Sequence, residues 1–252
     1  MLFGAQLYSL RDKCTDEAGV RETYRRVKEM GYECVQISGG AALPGDTYAA
    51  ILKESGLSAP TTHTAFDLIV NTTEEVIEAH KAIGADVVGL GAMPLEYRKS
   101  VADVRSFIEK MKEPVRKIRE AGMNFGYHNH NFEFEPLEDT TLFEVLFNET
   151  DWDFIPDVYW MTKAGEDPVK LLYRLRGRVT YMHLKDMDPK DEGIIACGMG
   201  KIDFAPIIKV CEEIGVKGAF VEQDNAPELP GGSYEQMAVG ARLMCPMVKH
   251  EA

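Results

Sequence analysis

Side chains that bind metal ions or move protons are concentrated in a few short segments of the chain. Four segments carry them: His128-Asn129-His130-Asn131 with Glu133, Asp157, His183-Leu184-Lys185-Asp186, and Glu222-Gln223-Asp224. Imidazole nitrogens together with carboxylate oxygens suit Mn²⁺, Co²⁺, Zn²⁺ or Mg²⁺, and the absence of cysteine from these segments argues against a structural zinc site. A histidine also titrates near neutrality, so it accepts and returns protons without a large change in pKa. The segments predict a metal-assisted proton-transfer site.

Each of these segments follows a short apolar run, and such runs alternate with amphipathic stretches along the chain. The pattern predicts eight strands, at residues 3–8, 33–37, 59–63, 86–90, 124–130, 154–158, 179–184 and 219–222. A helix is predicted after each strand, at residues 15–30, 46–55, 73–83, 101–121, 142–148, 168–176, 204–214 and 233–248. Glycines that separate a helix from the next strand are typical of parallel β/α units.

The length and the rhythm of elements favour one fold class. The 252 residues are close to the roughly 250 of an eight-fold β/α barrel. We therefore predict an α/β protein whose residues 1–252 form a single-domain (β/α)₈ TIM barrel. A doubly wound sheet would place a glycine-rich loop after the first strand, and Tyr8-Ser9-Leu10-Arg11 is not such a loop. Active sites of these barrels lie at the carboxyl ends of the strands, where the polar segments are predicted to meet.

Composition excludes several kinds of partner. The formal charge of −13 and the isoelectric point near 5.0 argue against binding to nucleic acids or anionic membranes. The five cysteines form no CxxC pair, which predicts reduced thiols. No segment reads as a signal peptide or a membrane span. A cytoplasmic location is therefore expected.

Residues 124–224 resemble the xylose isomerase-like barrels, a family that includes sugar epimerases, inosose dehydratases and an endonuclease branch. The resemblance rests on the order and spacing of five segments: Tyr127-His128-Asn129-His130-Asn131-Phe132-Glu133, Asp157-Val158-Tyr159-Trp160, Arg178-Val179-Thr180-Tyr181-Met182-His183-Leu184-Lys185-Asp186, Gly198-Met199-Gly200-Lys201-Ile202-Asp203-Phe204, and Val221-Glu222-Gln223-Asp224. It implies an enzyme with a bound divalent metal ion and a small sugar or cyclitol as substrate, and homodimers are common in the family.

The resemblance also implies a set of metal ligands. Asp157, His183 and Glu222 match the family's usual aspartate, histidine and glutamate. The fifth strand usually supplies a glutamate, where this chain has His128-Asn129-His130. His128 is the predicted fourth ligand by alignment, and His130 and Glu133 remain alternatives.

Further roles are predicted around this set. Proton transfer is assigned to His128 or His130 paired with Glu222, and Lys185, on the same side of its strand as His183, is predicted to donate to a substrate oxygen. Predicted substrate contacts are Gln36, His63, Asn131, Trp160 and Asp224. Simpler interpretations remain open: His63 bonded to a loop carbonyl, Lys185 and Asp186 as a rim salt bridge, Glu133 as a loop carboxylate, and surface roles for His80 and His250.

Three functions follow as hypotheses. The first is a sugar isomerase or epimerase that acts on a ketose or keto-sugar through an enediolate. The second is a lyase of the inosose dehydratase or 3-keto-glycoside-cleaving type, in which the same intermediate expels a neighbouring group. The third is a non-catalytic sugar-binding or partner subunit, because a fold alone does not guarantee activity.

Overall fold

The computed structural model describes residues 1–249, and eight of its strands form one parallel sheet. These strands are β1 (Leu2–Gln6), β2 (Cys34–Ile37), β3 (Ser58–Thr62), β4 (Val87–Leu90), β5 (Asn124–His128), β6 (Asp153–Ile155), β7 (Tyr181–Leu184) and β8 (Gly218–Val221). Neighbours pair in the order β6-β5-β4-β3-β2-β1-β8-β7. Parallel bridges from Phe154 to Val179 and from Asp157 to His183 link the two ends. The sheet is thus a nearly closed barrel, which confirms the predicted fold class.

Helices surround this barrel within the described residues. They are α1 (Glu17–Glu29), α2 (Gly45–Ser55), α3 (Phe66–Asn71), α4 (Thr73–Ile83), α5 (Val101–Glu120), α6 (Leu142–Glu149), α7 (Val158–Lys163), α8 (Pro168–Arg174), α9 (Phe204–Ile214) and α10 (Gly232–Lys249). Short antiparallel hairpins, Pro136–Leu137 with Thr140–Thr141 and Asp186–Met187 with Ile194–Ile195, lie in the loops after β5 and β7. None of the helices in residues 1–249 is both long and apolar enough to cross a bilayer.

The sixth strand is shorter than its predicted range of residues 154–158. It ends at Ile155, because Pro156 has no N–H to continue a ladder. Asp157 then accepts hydrogen bonds from the backbone N–H groups of Tyr159 and Trp160 and caps α7. A residue expected within a strand therefore begins a helix, and α7, like α3, is an element that the sequence pattern did not predict.

Side chains inside the barrel fix the orientation of the strand ends. An apolar cluster is formed by one residue from each of five strands: Cys34, Val87, Ile155, Tyr181 and Phe220. Residues two apart along a strand share a face. Asp157, His183 and Glu222 each lie two residues after a member of this cluster, so they point into the barrel mouth above it.

Candidate active site

Four side chains converge at the carboxyl ends of β5 to β8. One ligand atom each from His128, Asp157, His183 and Glu222 lies within 4.8 Å of the others, and all four residues are buried. An overlapping group consists of His63, His128 and His183. The predicted metal ligands are therefore brought together, with His128 as the representative of strand β5.

The partners of the two histidines determine which nitrogen faces the centre. His128 Nδ1 donates to the carbonyl oxygen of Ile155 at 3.2 Å, which leaves the lone pair on Nε2. His183 Nε2 donates to Gln36 Oε1 at 2.6 Å, which leaves Nδ1 directed at the centre. The Gln36 amide also donates to the carbonyl of Thr62 at 3.4 Å. Gln36, a predicted substrate contact, thus lies buried behind His183 and holds its ring.

The two carboxylates also keep one oxygen directed inward. Asp157 uses Oδ1 to cap α7, at 2.9 Å and 3.1 Å from the two backbone nitrogens, and its Oδ2 makes no hydrogen bond with the described residues. Glu222 Oε2 and His183 Nδ1 are likewise buried without hydrogen-bond partners, although they lie 2.9 Å apart. Two lone-pair atoms this close need a cation or a proton between them. Apart from ion pairs between the two carboxylates and the ammonium of Lys185, these buried atoms have no partner outside the set among the described residues, and the set therefore fits a divalent cation.

The charges of these groups depend on each other. Burial lowers the pKa of His183, but the charges of Glu222 and Asp157 outweigh it and raise that pKa to about 9. Burial likewise opposes ionisation of Glu222, yet Lys185 and His183 bring the pKa of Glu222 well below its ordinary value. Burial first, and then the charge of Glu222, raises the pKa of Asp224 to about 6.

Lys185 is a buried ammonium surrounded by carboxylates. Its Nζ lies 2.8 Å from Glu222 Oε2, 3.1 Å from Asp157 Oδ2 and 3.1 Å from Asp224 Oδ1. Burial disfavours the charged form, but these three carboxylates raise the pKa of Lys185 above its ordinary value. The indole of Trp160, a predicted substrate contact, lies 5.1 Å from the ammonium and is not among the residues that line the pocket. Lys185 is therefore a permanent cation in the candidate site.

Asp186 has a separate, structural role, so it forms no rim salt bridge with Lys185. Its carboxylate accepts hydrogen bonds from the four backbone N–H groups of Met187, Gly198, Gly200 and Ile202. A Cβ on Gly200 would lie 2.3 Å from Asp186 Oδ1, so only glycine allows this approach. The glycine-rich segment after β7 is thus folded around one buried carboxylate.

A pocket of about 430 Å³ opens above the four-residue centre. One wall, from the ends of β3 and β5, presents His63, His128 and His130. The opposite wall, from the ends of β7 and β8, presents Lys185, Glu222 and Asp224. Proton-accepting groups thus face the same space from two sides.

The segment after β5 places its other polar residues differently. Burial lowers the pKa of His130 to about 4, and its ring contacts Phe132 and Trp160. Glu133 accepts from the hydroxyl of Tyr127 at 2.8 Å and from the backbone N–H of His130 at 2.7 Å, and burial raises its pKa to about 7. Neither His130 nor Glu133 belongs to the four-residue group. The amide of Asn131, a predicted substrate contact, instead donates to Glu135 at 3.3 Å.

Two further polar residues matter that sequence analysis missed or misassigned. His80 is buried, which makes its predicted surface role wrong: its Nδ1 donates to the carbonyl of Val76 at 2.7 Å and its Nε2 contacts the Thr62 hydroxyl at 2.8 Å. Gln6 at the end of β1 contacts His63 Nδ1 at 3.3 Å. The predicted strand at residues 3–8 placed Gln6 inside the strand, whereas the observed strand ends at Gln6. His250 lies outside the described residues.

With this geometry established, comparison with known proteins assigns the chain to a family. Residues 24–239 match the xylose isomerase-like TIM barrel family. The chain belongs to that family.

The individual relatives share low sequence identity with this chain. The chain is 28% identical over 137 residues to the inosose dehydratase of Lacticaseibacillus casei, and this alignment spans 45% of each protein. A crystal structure of a sugar phosphate isomerase/epimerase from Parabacteroides distasonis superposes with a TM-score of 0.81 at 21% identity, covering 98% of this chain and 94% of that one. A D-allulose 3-epimerase from Methylomonas sp. superposes with a TM-score of 0.73 at 14% identity, covering 98% of both chains. These similarities to solved structures establish the fold.

Proposed function

We propose that the chain is a divalent-metal-dependent enzyme that removes a proton beside the carbonyl of a small keto-sugar or keto-cyclitol and returns it as an isomerase or epimerase. The observation that carries the proposal is the set of four converging ligand atoms at the floor of a pocket with proton-accepting groups on two walls. Neutral polyhydroxylated ketones match a pocket that combines one ammonium, carboxylates and imidazoles.

His128, Asp157, His183 and Glu222 would hold the metal ion. When bound, a divalent cation supplies Lewis acidity that stabilises negative charge on a substrate oxygen. Two imidazole and two carboxylate ligands favour Zn²⁺, Co²⁺ or Mn²⁺ over Mg²⁺, which prefers oxygen ligands.

The proton transfer is assigned to side chains on the two pocket walls. Glu222, ionised in this site, accepts the proton from the carbon next to the carbonyl. Return of that proton to the neighbouring carbon from the same side gives an isomer. Inversion needs a proton donor on the opposite wall, and His130 lies there. Because its pKa of about 4 leaves the ring neutral at neutral pH, His130 must take up a proton before it donates. Lys185 donates to a substrate oxygen from the wall that holds Glu222.

The second candidate function is a lyase of the inosose dehydratase type. It is favoured by the curated relatives, which carry that name, and by the ammonium of Lys185 beside Glu222 on one wall. In this reaction Glu222 accepts the proton and the electron pair expels a β-hydroxyl, which takes up that proton from Glu222 and leaves as water.

Proton NMR in D₂O with a panel of ketohexoses and inososes distinguishes the outcomes. Deuterium incorporation with recovery of an isomer supports the isomerase or epimerase. Loss of water, or of an aglycone from a 3-keto-glycoside, supports the lyase. Sugar binding by calorimetry with no exchange across the panel contradicts both and supports a non-catalytic sugar-binding protein.

The metal centre is tested separately through metal content after loading with Mn²⁺ or Co²⁺. The double variant Asp157→Asn/Glu222→Gln is expected to lose the ion, whereas Glu133→Gln, which changes a buried carboxylate outside the group, retains it. His128→Gln is expected to weaken binding more than His130→Gln. Full metal content in the double variant would show that the assignment is wrong.

A further inference from the structure

His63 is a pocket residue whose protonation is fixed by its neighbours. It follows β3 directly, and its ring lies 4.9 Å from that of His128 and 5.3 Å from that of His183. The metal-ligand group and the proton-transfer pair described above leave its chemistry unassigned.

The orientation of the Gln6 amide determines which ring nitrogen of His63 carries the proton. The backbone N–H of Tyr8 donates to Gln6 Oε1 at 2.5 Å, so the oxygen of the amide faces Tyr8. The NH₂ group of Gln6 therefore faces His63 Nδ1 at 3.3 Å. An NH₂ group only donates, so Nδ1 accepts and carries the lone pair. The ring is consequently neutral, with its single proton on Nε2.

That Nε2–H is a buried donor without a partner among the described residues. An unsatisfied buried donor is unfavourable, and such groups in a pocket are commonly completed by a ligand. The protonated nitrogen is unable to bind a cation, so this tautomer separates His63 from the ligand set formed by its histidine neighbours.

We infer that His63 is a catalytic electrophile that donates its Nε2–H to the carbonyl oxygen of the substrate, and that Gln6 is the positioning residue that keeps the proton on Nε2. The inference rests on the proposed function. As the C–H proton passes to Glu222, the electron pair of that bond moves toward the carbonyl oxygen, and the His63 hydrogen bond strengthens. The imidazole proton stays on His63, so the ring is unchanged at the end of the step. A neutral imidazole suits this role because it donates without itself transferring a proton.

Substitutions at both positions separate donation from packing. His63→Leu removes the donor, and His63→Gln keeps an N–H at similar length. Gln6→Glu preserves the acceptor for Tyr8 but places a carboxylate oxygen against Nδ1, which moves the ring proton to Nδ1 and removes the donor from the pocket. Loss of one such donor lowers kcat by about 10²–10³-fold in other enzymes. We expect that loss for His63→Leu and Gln6→Glu, with smaller changes in KM, unchanged metal content, and partial rescue by His63→Gln.

The first readout is independent of turnover. NMR of protein labelled with ¹⁵N-histidine, with the His63 signals assigned by their absence from His63→Gln, should show the proton on Nε2 in the wild type and on Nδ1 in Gln6→Glu. A proton on Nδ1 in the wild type overturns the inference.

The second readout is the rate of C–H exchange in D₂O. If the wild type exchanges the C–H proton and His63→Leu does so with the same kcat, the inference is also overturned. Absence of exchange in the metal-loaded wild type instead overturns the proposed function and with it the catalytic role of His63, and the tautomer measurement then tests only whether Gln6 keeps the ring proton on Nε2.

Discussion

The ammonium of Lys185 contacts the same carboxylate oxygens that a divalent metal ion would bind in the candidate centre. Its ammonium contacts Glu222 Oε2 at 2.8 Å and Asp157 Oδ2 at 3.1 Å, and both oxygens belong to the candidate ligand set. In metal-free protein this ammonium is the main compensation for two buried carboxylates. Its removal should therefore destabilise the metal-free protein and make the stability depend strongly on added metal.

The expected size of the effect follows from burial. Removing one partner of a buried ion pair costs about 3–5 kcal/mol, because the remaining charge is left without compensation. For a domain of this size each kcal/mol shifts Tm by roughly 2–4 °C, so Lys185→Met should lower Tm by roughly 6–20 °C in EDTA. Metal at 100 times its Kd restores about 2.7 kcal/mol. The gain should be larger in the variant than in the wild type, where the ion must displace the ammonium.

Calorimetric melting in EDTA and at increasing Mn²⁺ concentration measures both effects. Lys217→Met is the matched control, because the side chain of Lys217 is 61% exposed and its 2.8 Å pair with Asp86 lies at the surface. Such a pair contributes about 0–1 kcal/mol. Equal Tm values for Lys185→Met and the wild type in EDTA, or an equal rise of both Tm values with Mn²⁺, would refute this role of Lys185.

Three further perturbations test separate parts of the site. Gln36→Leu should weaken metal binding by about 10–100-fold in titration calorimetry, because His183 loses the partner that orients it. Gln36→Glu keeps an acceptor for His183 and should retain the metal affinity of the wild type. Equal affinities in the wild type and both variants would contradict this role of Gln36. Glu133 has a folded pKa of about 7 against 4.5 ordinarily, so between these values only the unfolded chain releases the proton. In urea unfolding, the free energy of unfolding of the wild type minus that of Glu133→Gln should therefore fall by about 1.4 kcal/mol for each unit of rising pH in this range. A difference that stays constant with pH would contradict the raised pKa of Glu133. Asp186→Asn should destabilise the protein by about 2–4 kcal/mol, since it weakens charged hydrogen bonds. It should also speed amide hydrogen exchange in residues 188–203. Unchanged exchange in these residues would exclude the structural role of Asp186.

The fold was predictable because local signals agree with one another. Glycine-terminated helices and short apolar runs predicted all eight barrel strands, and two helices, Thr73–Ile83 and Phe204–Ile214, have the predicted bounds. The main boundary error, at Val158, arose because apolar residues resume there after Pro156 and Asp157, whereas the strand ends at Ile155. A cap such as Asp157 is visible in a sequence, but whether it ends a strand or lies within one depends on its tertiary partners.

The site was predictable at the level of which residues meet, since parallel strands bring their carboxyl ends to one rim. The partners of these residues were not predictable. Gln36 bonds to His183 across 147 residues of sequence, and Gln6 reaches His63 across 57. These contacts depend on the register of neighbouring and opposite strands. Lys185 and Asp186 diverge because adjacent residues on an extended chain point to opposite sides, a distinction that a motif of neighbouring letters conceals.

The imidazole of His128 changes the charge balance of the candidate centre. Asp157 and Glu222 contribute two negative charges to the ligand set, and both histidine ligands present neutral nitrogen lone pairs when a cation is bound. One divalent cation neutralises this set, so the ammonium of Lys185 remains to balance Asp224 at the pocket wall. A glutamate at position 128 would add a third negative charge beneath the substrate. Because negative charge that develops on a substrate oxygen is repelled by a nearby anion in a poorly solvated site, a neutral imidazole at position 128 should favour the enediolate in the proposed reaction.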